Sequence, residues 1–152
     1  MRAGTLDFEP ITRIPYPKEG ENTPSLWLVL DEVVDPQNFG ALLLLGFVRD
    51  NDFIPWDWDV ELSVKTEEIR PKSGALLAKL RQSGFVIQDT DLSSEDYKIN
   101  AVKYGARFEI EGYKLTRKFR TRVCFRVPAK FFEKSKDFTF KGENYSVFDD
   151  TE

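Results

Sequence analysis

The sequence predicts an α+β domain built on a mixed or mostly antiparallel sheet. Three observations carry this. Phe39 to Val48 is almost wholly apolar, which suits a buried helix. Asp57 to Val64 alternates polar and apolar residues, the period-two pattern of a strand. A second helix then opens at Pro71-Lys72-Ser73, and several strand-like segments follow it. A helix, a strand, a helix and then a run of strands is an α+β order.

Taken in sequence order, residues 1–24 carry Pro10, Pro15, Pro17 and Pro24, so they read as an extended arm ahead of a single domain over 25–152. Ser25 to Val34 suits strand or helix, and Asp35 to Asn38 a turn or a helix start. Asp50-Asn51-Asp52 is a loop. In the second helix Ser73 is the expected N-cap, Leu76, Leu77 and Leu80 form the apolar stripe, and Gly84 is the C-terminal cap. Phe85 to Gln88 reads as a strand and 89–98 as a polar loop. Lys98 to Tyr104, Ala106 to Glu111 and Arg120 to Val127 are three further strands, punctuated by Gly105 and Gly112-Tyr113. Pro128 to Lys134 suits a short helix, and residues 138–148 a closing hairpin.

Composition narrows the chemistry. The 152 residues suffice for one domain with its own core, and 13 phenylalanines supply apolar volume for it. No histidine is present, which removes Ser-His-Asp and Cys-His catalysis and the commonest zinc sites. Acid–base work must then fall to Asp, Glu, Lys or Tyr. A net charge of −4 argues against nucleic acid as a partner. The single cysteine, Cys124, fits a reducing compartment and is expected to be buried and inert. The N-terminus has no apolar signal-peptide core, and the run Ala41 to Leu45 is far too short to span a membrane. A cytoplasmic location is the expectation.

The acidic row Asp57, Asp59 and Glu61 is the most informative feature. At period two all three side chains share one face of a strand. Carboxylates so placed repel one another unless a cation or solvent intervenes. A hard divalent cation such as Mg2+ is the usual occupant of such a row.

The surrounding text resembles a known family. Gly46-Phe47-Val48-Arg49, Phe53-Ile54-Pro55-Trp56-Asp57 and Asp59-Val60-Glu61 look like the motif of the LicD/fukutin proteins. In that family a Gly-Thr/Ser-Leu-Leu-Gly-x-x-Arg element leads through a short loop to Ile-Pro-Trp-Asp-x-Asp-hydrophobic-Asp. The Gly84-Phe85 strand, the segment Phe108-Glu109-Ile110 and the tail from Val127 to Val147 also resemble it, so the likeness spans about residues 39 to 148. Here Glu61 replaces the last aspartate. Leu42-Leu43 stand where the family has its Gly-Thr or Gly-Ser pair, and Gly40-Ala41 substitute only with two extra residues before Gly46.

The resemblance implies a nucleotidyltransferase-like fold with a mixed sheet flanked by helices. It also implies transfer of a substituted phosphate, such as phosphocholine or a polyol phosphate, from a CDP-linked donor to a glycan or cell-surface polymer. Asp59 and Glu61 would hold Mg2+ or Mn2+. Glu109, with Glu111 as its alternative, would be the third carboxylate, and Glu109 the candidate base. Gly40, Gly46, Arg49, Trp56, Arg120 and Arg122 are the candidate substrate-binding residues.

Each candidate has a plainer reading. Asp57 also reads as a turn cap, Asp59 and Glu61 as an exposed edge-strand face, and Glu109 as an ordinary strand residue. Arg49 is equally the partner of Asp50 or Asp52, and Trp56 a wall of the core. The acid-free run from Lys114 to Lys130 contains Arg120 and Arg122. It is either a solvated edge strand with charged gatekeepers or a patch for phosphate. For the whole chain, the alternatives are a non-catalytic binding domain of the same fold and an RNA methyltransferase. Leu28 to Ala41 resembles the first motif of the SpoU-type enzymes, which would imply S-adenosylmethionine and a knotted dimer.

Overall fold

A computed structural model describes residues 38–39, 41–54, 59–93 and 95–149. The expected arm, the segment Ser25 to Val34 and the Pro55-Trp56-Asp57-Trp58 turn lie outside them. In chain order the elements begin with β1 (Asn38–Phe39), α1 (Ala41–Asp50), β2 (Asp59–Lys65) and α2 (Thr66–Ile69). A 3-10 turn (Arg70–Lys72) leads into α3 (Ser73–Gln82), followed by β3 (Val86–Asp91), β4 (Lys98–Lys103) and β5 (Ala106–Thr116). Then come β6 (Phe119–Arg122), β7 (Phe125–Pro128), a second 3-10 turn (Ala129–Phe132), β8 (Ser135–Phe140) and β9 (Glu143–Phe148).

The main sheet runs β1-β2-β5-β4-β3, and β6 continues from the far end of β5 and carries β7. Only β2 and β5 pair in parallel; the other described pairings are antiparallel. The sheet is therefore mixed, as predicted. A parallel pair needs a long crossover, and α2 and α3 lie in the one between β2 and β5.

The core follows from the strand period. Val60, Leu62 and Val64 of β2 and Phe108 and Ile110 of β5 are buried together with Ile69 of α2 and Leu76 and Leu80 of α3. Each such side chain contributes about 1.5–3 kcal/mol on burial. At the other end of the core, Phe47 of α1 stacks on Phe140 of β8, ring centroids 3.7 Å apart, and meets Phe53 edge-on at 5.6 Å. The expected hairpin of the tail is β8–β9, and it closes over α1. It turns at Lys141-Gly142, both at positive φ. Gly84, at φ +81, ends α3 as predicted, its N–H donating to the Arg81 carbonyl.

Several expectations change. Ser73 is not an N-cap: it is the first residue of α3, and its hydroxyl bonds the Arg70 carbonyl at 2.9 Å and the buried Tyr97 hydroxyl at 2.9 Å. Helix α1 is only partly buried, with Leu45 and Val48 exposed. Strand β5 does not stop at Gly112-Tyr113 but continues to Thr116. Gly112 permits the close approach of Tyr97, whose carbonyl accepts the Gly112 N–H at 2.8 Å. Arg120 to Val127 is two strands, because the chain reverses at Val123-Cys124 with Val123 at φ +46. Asp96 accepts the Val123 N–H at 2.9 Å and holds that turn. Cys124 sits in the turn and is exposed, not buried. Arg120 and Arg122 are buried, and β6 lies between β5 and β7 rather than at a solvated edge.

Two glycines give a contrasting prediction. A Cβ at Gly112 would lie 2.6 Å from Thr66 Oγ1 and 2.7 Å from Tyr97 Cβ, so Gly112→Ala should destabilise by about 1–3 kcal/mol. A Cβ at Gly74 in α3 meets nothing within 4 Å, so Gly74→Ala should stabilise by about 0.5–1 kcal/mol. Urea denaturation of both variants measures the difference.

Candidate active site

Strands β2 and β5 assemble the site. Their parallel register sets Asp59 beside Arg107, Glu61 beside Glu109 and Ser63 beside Glu111. Because the residues between them, Val60, Leu62, Phe108 and Ile110, point into the core, these polar residues share the opposite face. One oxygen each from Asp59, Glu61 and Glu109 lies within 4.8 Å of the others. Asp59 and Glu61 are half-buried and Glu109 is buried. An all-carboxylate, all-oxygen set of this kind fits Mg2+ or Mn2+ rather than a soft metal.

Cations bracket the carboxylates. Lys98 Nζ lies 2.5 Å from Glu109 Oε2, and Arg107 pairs with the other oxygen of Glu109. Glu111 is held by Arg122 at 2.9 Å and faces Lys98 at 3.6 Å. The result is a chain of alternating charge, Arg107–Glu109–Lys98–Glu111–Arg122. Burial pushes the Glu111 carboxyl above its ordinary value, while Arg122 and Lys98 draw it back. Burial, reinforced by Glu111, likewise raises the Tyr113 hydroxyl, which is bonded to Ser63.

The other predicted residues fall in different places. Gly46 is buried in α1, where a Cβ would lie 2.8 Å from the Asp52 carbonyl; a glycine there lets the loop fold back on the helix. Arg49 is exposed and pairs with Asp50 through Nε at 2.7 Å, which holds the Asp50 carboxyl below the usual range. Arg120 bonds Glu67 at 2.7 Å and the Tyr113 carbonyl at 3.3 Å. Gly40 and Trp56 lie outside the described residues. A cleft of about 480 Å3 opens away from the carboxylates, at the β5–β6 turn, lined by Leu115, Arg117, Lys118 and Lys130.

Lys98 and Arg107 were missed from sequence. A signal existed: Lys98-x-Asn100 and Arg107-x-Glu109-x-Glu111 repeat polar groups at period two on segments read as neighbouring strands. Only the register reveals which of them touch.

A family model described as "LicD/FKTN/FKRP, nucleotidyltransferase domain" matches residues 41–149. The chain belongs to this family. The match selects the LicD/fukutin resemblance over the methyltransferase one. No curated protein matches the chain at a significant level. Among solved structures, ANT(2")-Ia in complex with adenylyl-2"-tobramycin aligns at a TM-score of 0.53 and 13% identity, over 81% of this chain and 64% of that one. The chain thus spans somewhat less than two thirds of that relative. A Thermotoga maritima protein described as a candidate nucleotidyltransferase aligns at a TM-score of 0.51 and 11% identity, over 81% of this chain and 72% of that one. The LicD-family domain therefore has a nucleotidyltransferase-like fold. Among its described residues, no helix is long and apolar enough to cross a membrane.

The state of Glu111 gives a pH prediction. Its carboxyl is raised above the ordinary 4.5, so folding holds its proton more tightly than the unfolded chain does. That contribution is fully present below 4.5 and is lost as pH climbs through the raised value. Glu111→Gln cannot ionise. The stability of the native protein relative to this variant should therefore fall as pH rises above 4.5, measured by urea unfolding across a pH series. A relative stability that rises with pH would contradict this reading.

Proposed function

We propose that this domain moves a substituted phosphate from a CDP-linked donor to a hydroxyl of a glycan or cell-surface polymer, with Mg2+ or Mn2+ held by Asp59, Glu61 and Glu109. The observation that carries the reading is the convergence of these three carboxylates, their oxygens within 4.8 Å, in a chain of this family. When bound, the ion would neutralise the donor phosphates, the main requirement of phosphoryl transfer.

The chain's own residues supply the rest. Asp59 and Glu61 come from one strand and Glu109 from its neighbour, so the holder is rigid. One of the three carboxylates would also accept the proton of the attacking hydroxyl, with Glu109 the candidate for that role. Arg122, next along the charge chain, and Arg120 would stabilise donor phosphate. Arg49, Gly40, Gly46 and Trp56 remain donor-side candidates through the motif they belong to.

A second reading, a binding domain that keeps the fold without the chemistry, is favoured by Leu42-Leu43 in the glycine element. One experiment separates the two. Mn2+ is titrated with CDP or CTP while tryptophan emission is followed, since Trp56 and Trp58 flank Asp57 just ahead of Asp59. Asp59→Asn and Glu61→Gln should each weaken metal-dependent binding by about 10–100-fold or more. Binding without transfer from a CDP-alcohol supports the second reading. No metal-dependent nucleotide binding by the native chain sinks the enzyme.

A further inference from the structure

Lys98 opens β4 and projects between two carboxylates. In the antiparallel β4–β5 ladder Lys98 stands opposite Glu111, and Asn100 opposite Glu109. Lys98 nonetheless reaches diagonally to Glu109 Oε2, at 2.5 Å, and is 3.6 Å from Glu111 Oε1. Arg107 holds the second oxygen of Glu109. Glu111 keeps its own partner, Arg122, at 2.9 Å.

The Glu109 carboxylate is therefore contested. An ion shared with Asp59 and Glu61 needs a Glu109 oxygen, and an ammonium already in contact with that carboxylate would sit close to it. Like charges at such range repel strongly in a half-buried setting. The repulsion is relieved most simply if one of the two resident cations yields. Arg107 presents a planar fork whose geometry is fixed, whereas Lys98 is a point charge on a flexible stem. Lys98 also has somewhere to go, because Glu111 is already within 4 Å.

We propose that Lys98 is the resident counter-ion of the carboxylate triad, competing with the divalent metal for Glu109 and passing to Glu111 when the metal binds. The inference rests on the metal reading given under the proposed function. It assigns Lys98 a positioning role that couples the loading of metal to that of nucleotide. Metal alone binds weakly, because it must displace an ammonium. A nucleotide diphosphate offsets both the metal and the displaced ammonium, so metal and nucleotide load together.

The test measures Mn2+ affinity of the full chain from the electron paramagnetic resonance signal of free Mn2+, with and without CDP. Lys98→Gln keeps a donor for Glu109 but removes the charge; Lys98→Met keeps the aliphatic stem and serves if the glutamine variant does not fold. Lys98→Arg keeps the charge. Mn2+ alone should bind the uncharged variants about tenfold tighter than the native chain, the scale of a neighbouring charge. Lys98→Arg should bind no tighter than native. CDP should raise Mn2+ affinity more in the native chain than in Lys98→Gln. Equal or weaker Mn2+ binding by both uncharged variants overturns the proposal and leaves Lys98 a structural ion pair. Absence of Mn2+ binding by the native chain and by every variant, with CDP present, overturns the metal reading itself.

Discussion

Everything at the site depends on the parallel pairing of β2 with β5. Seven residues of each strand face one another in fixed register, Asp59 to Lys65 against Arg107 to Tyr113. A slip of β2 by one residue would turn Asp59 and Glu61 into the core, away from Glu109, and Val60 and Leu62 out to solvent. The apolar face and the acidic face thus enforce each other. The crossover that parallel pairing requires is fastened to the same sheet: Ser73 of α3 bonds Tyr97 just before β4, and the Tyr97 carbonyl bonds Gly112 in β5. Core, crossover and carboxylates share one register.

The second constraint is electrostatic. A buried carboxylate is tolerated only when paired, and removing one partner of such a pair costs more than the pair itself contributes. Glu109 and Glu111 meet this by alternating with Arg107, Lys98 and Arg122. Strand β4 shows how local the solution is. Lys98 near one end serves the acidic face, whereas Lys103 at the other end lies on the core side. There Lys103 donates to the Ser83 carbonyl at 2.7 Å and rests over the Phe85 ring. Two lysines of one strand carry unrelated duties because they lie on opposite faces.

Much of this was legible in the sequence, for physical reasons that also mark where legibility ended. The alternation around Asp59 and Glu61 gave a strand and its faces, and Gly84 the end of its helix, because these are local preferences. The family motif led to Glu109 as the third carboxylate. The pairing of Lys98 with Glu109 was not readable, since periodicity assigns a face but not the neighbour across a ladder. Nor was the Val123-Cys124 reversal. A valine at positive φ is a poor turn residue, and the carboxylate of Asp96 that steadies it lies far back in the chain. The extension of β5 through Gly112 failed similarly: a glycine that reads locally as a break is needed there for the approach of Tyr97.

The stacking of Phe47 on Phe140 has a consequence for how the molecule acquires its shape. The ring that anchors the first described helix has its closest partner almost at the end of the described chain. Contacts of such long sequence separation are reached late, because the loop they close is costly in entropy. During synthesis the apolar side of α1 must wait for β8 and β9 to emerge. The β2–β5 platform can form sooner, since its partners are nearer in sequence. The helix that leads into the acidic strand is then the last part of the core to be sealed. A nascent chain stalled before Phe138 would leave the Phe47 side of α1 without these partners, the kind of exposed apolar surface on which aggregation starts.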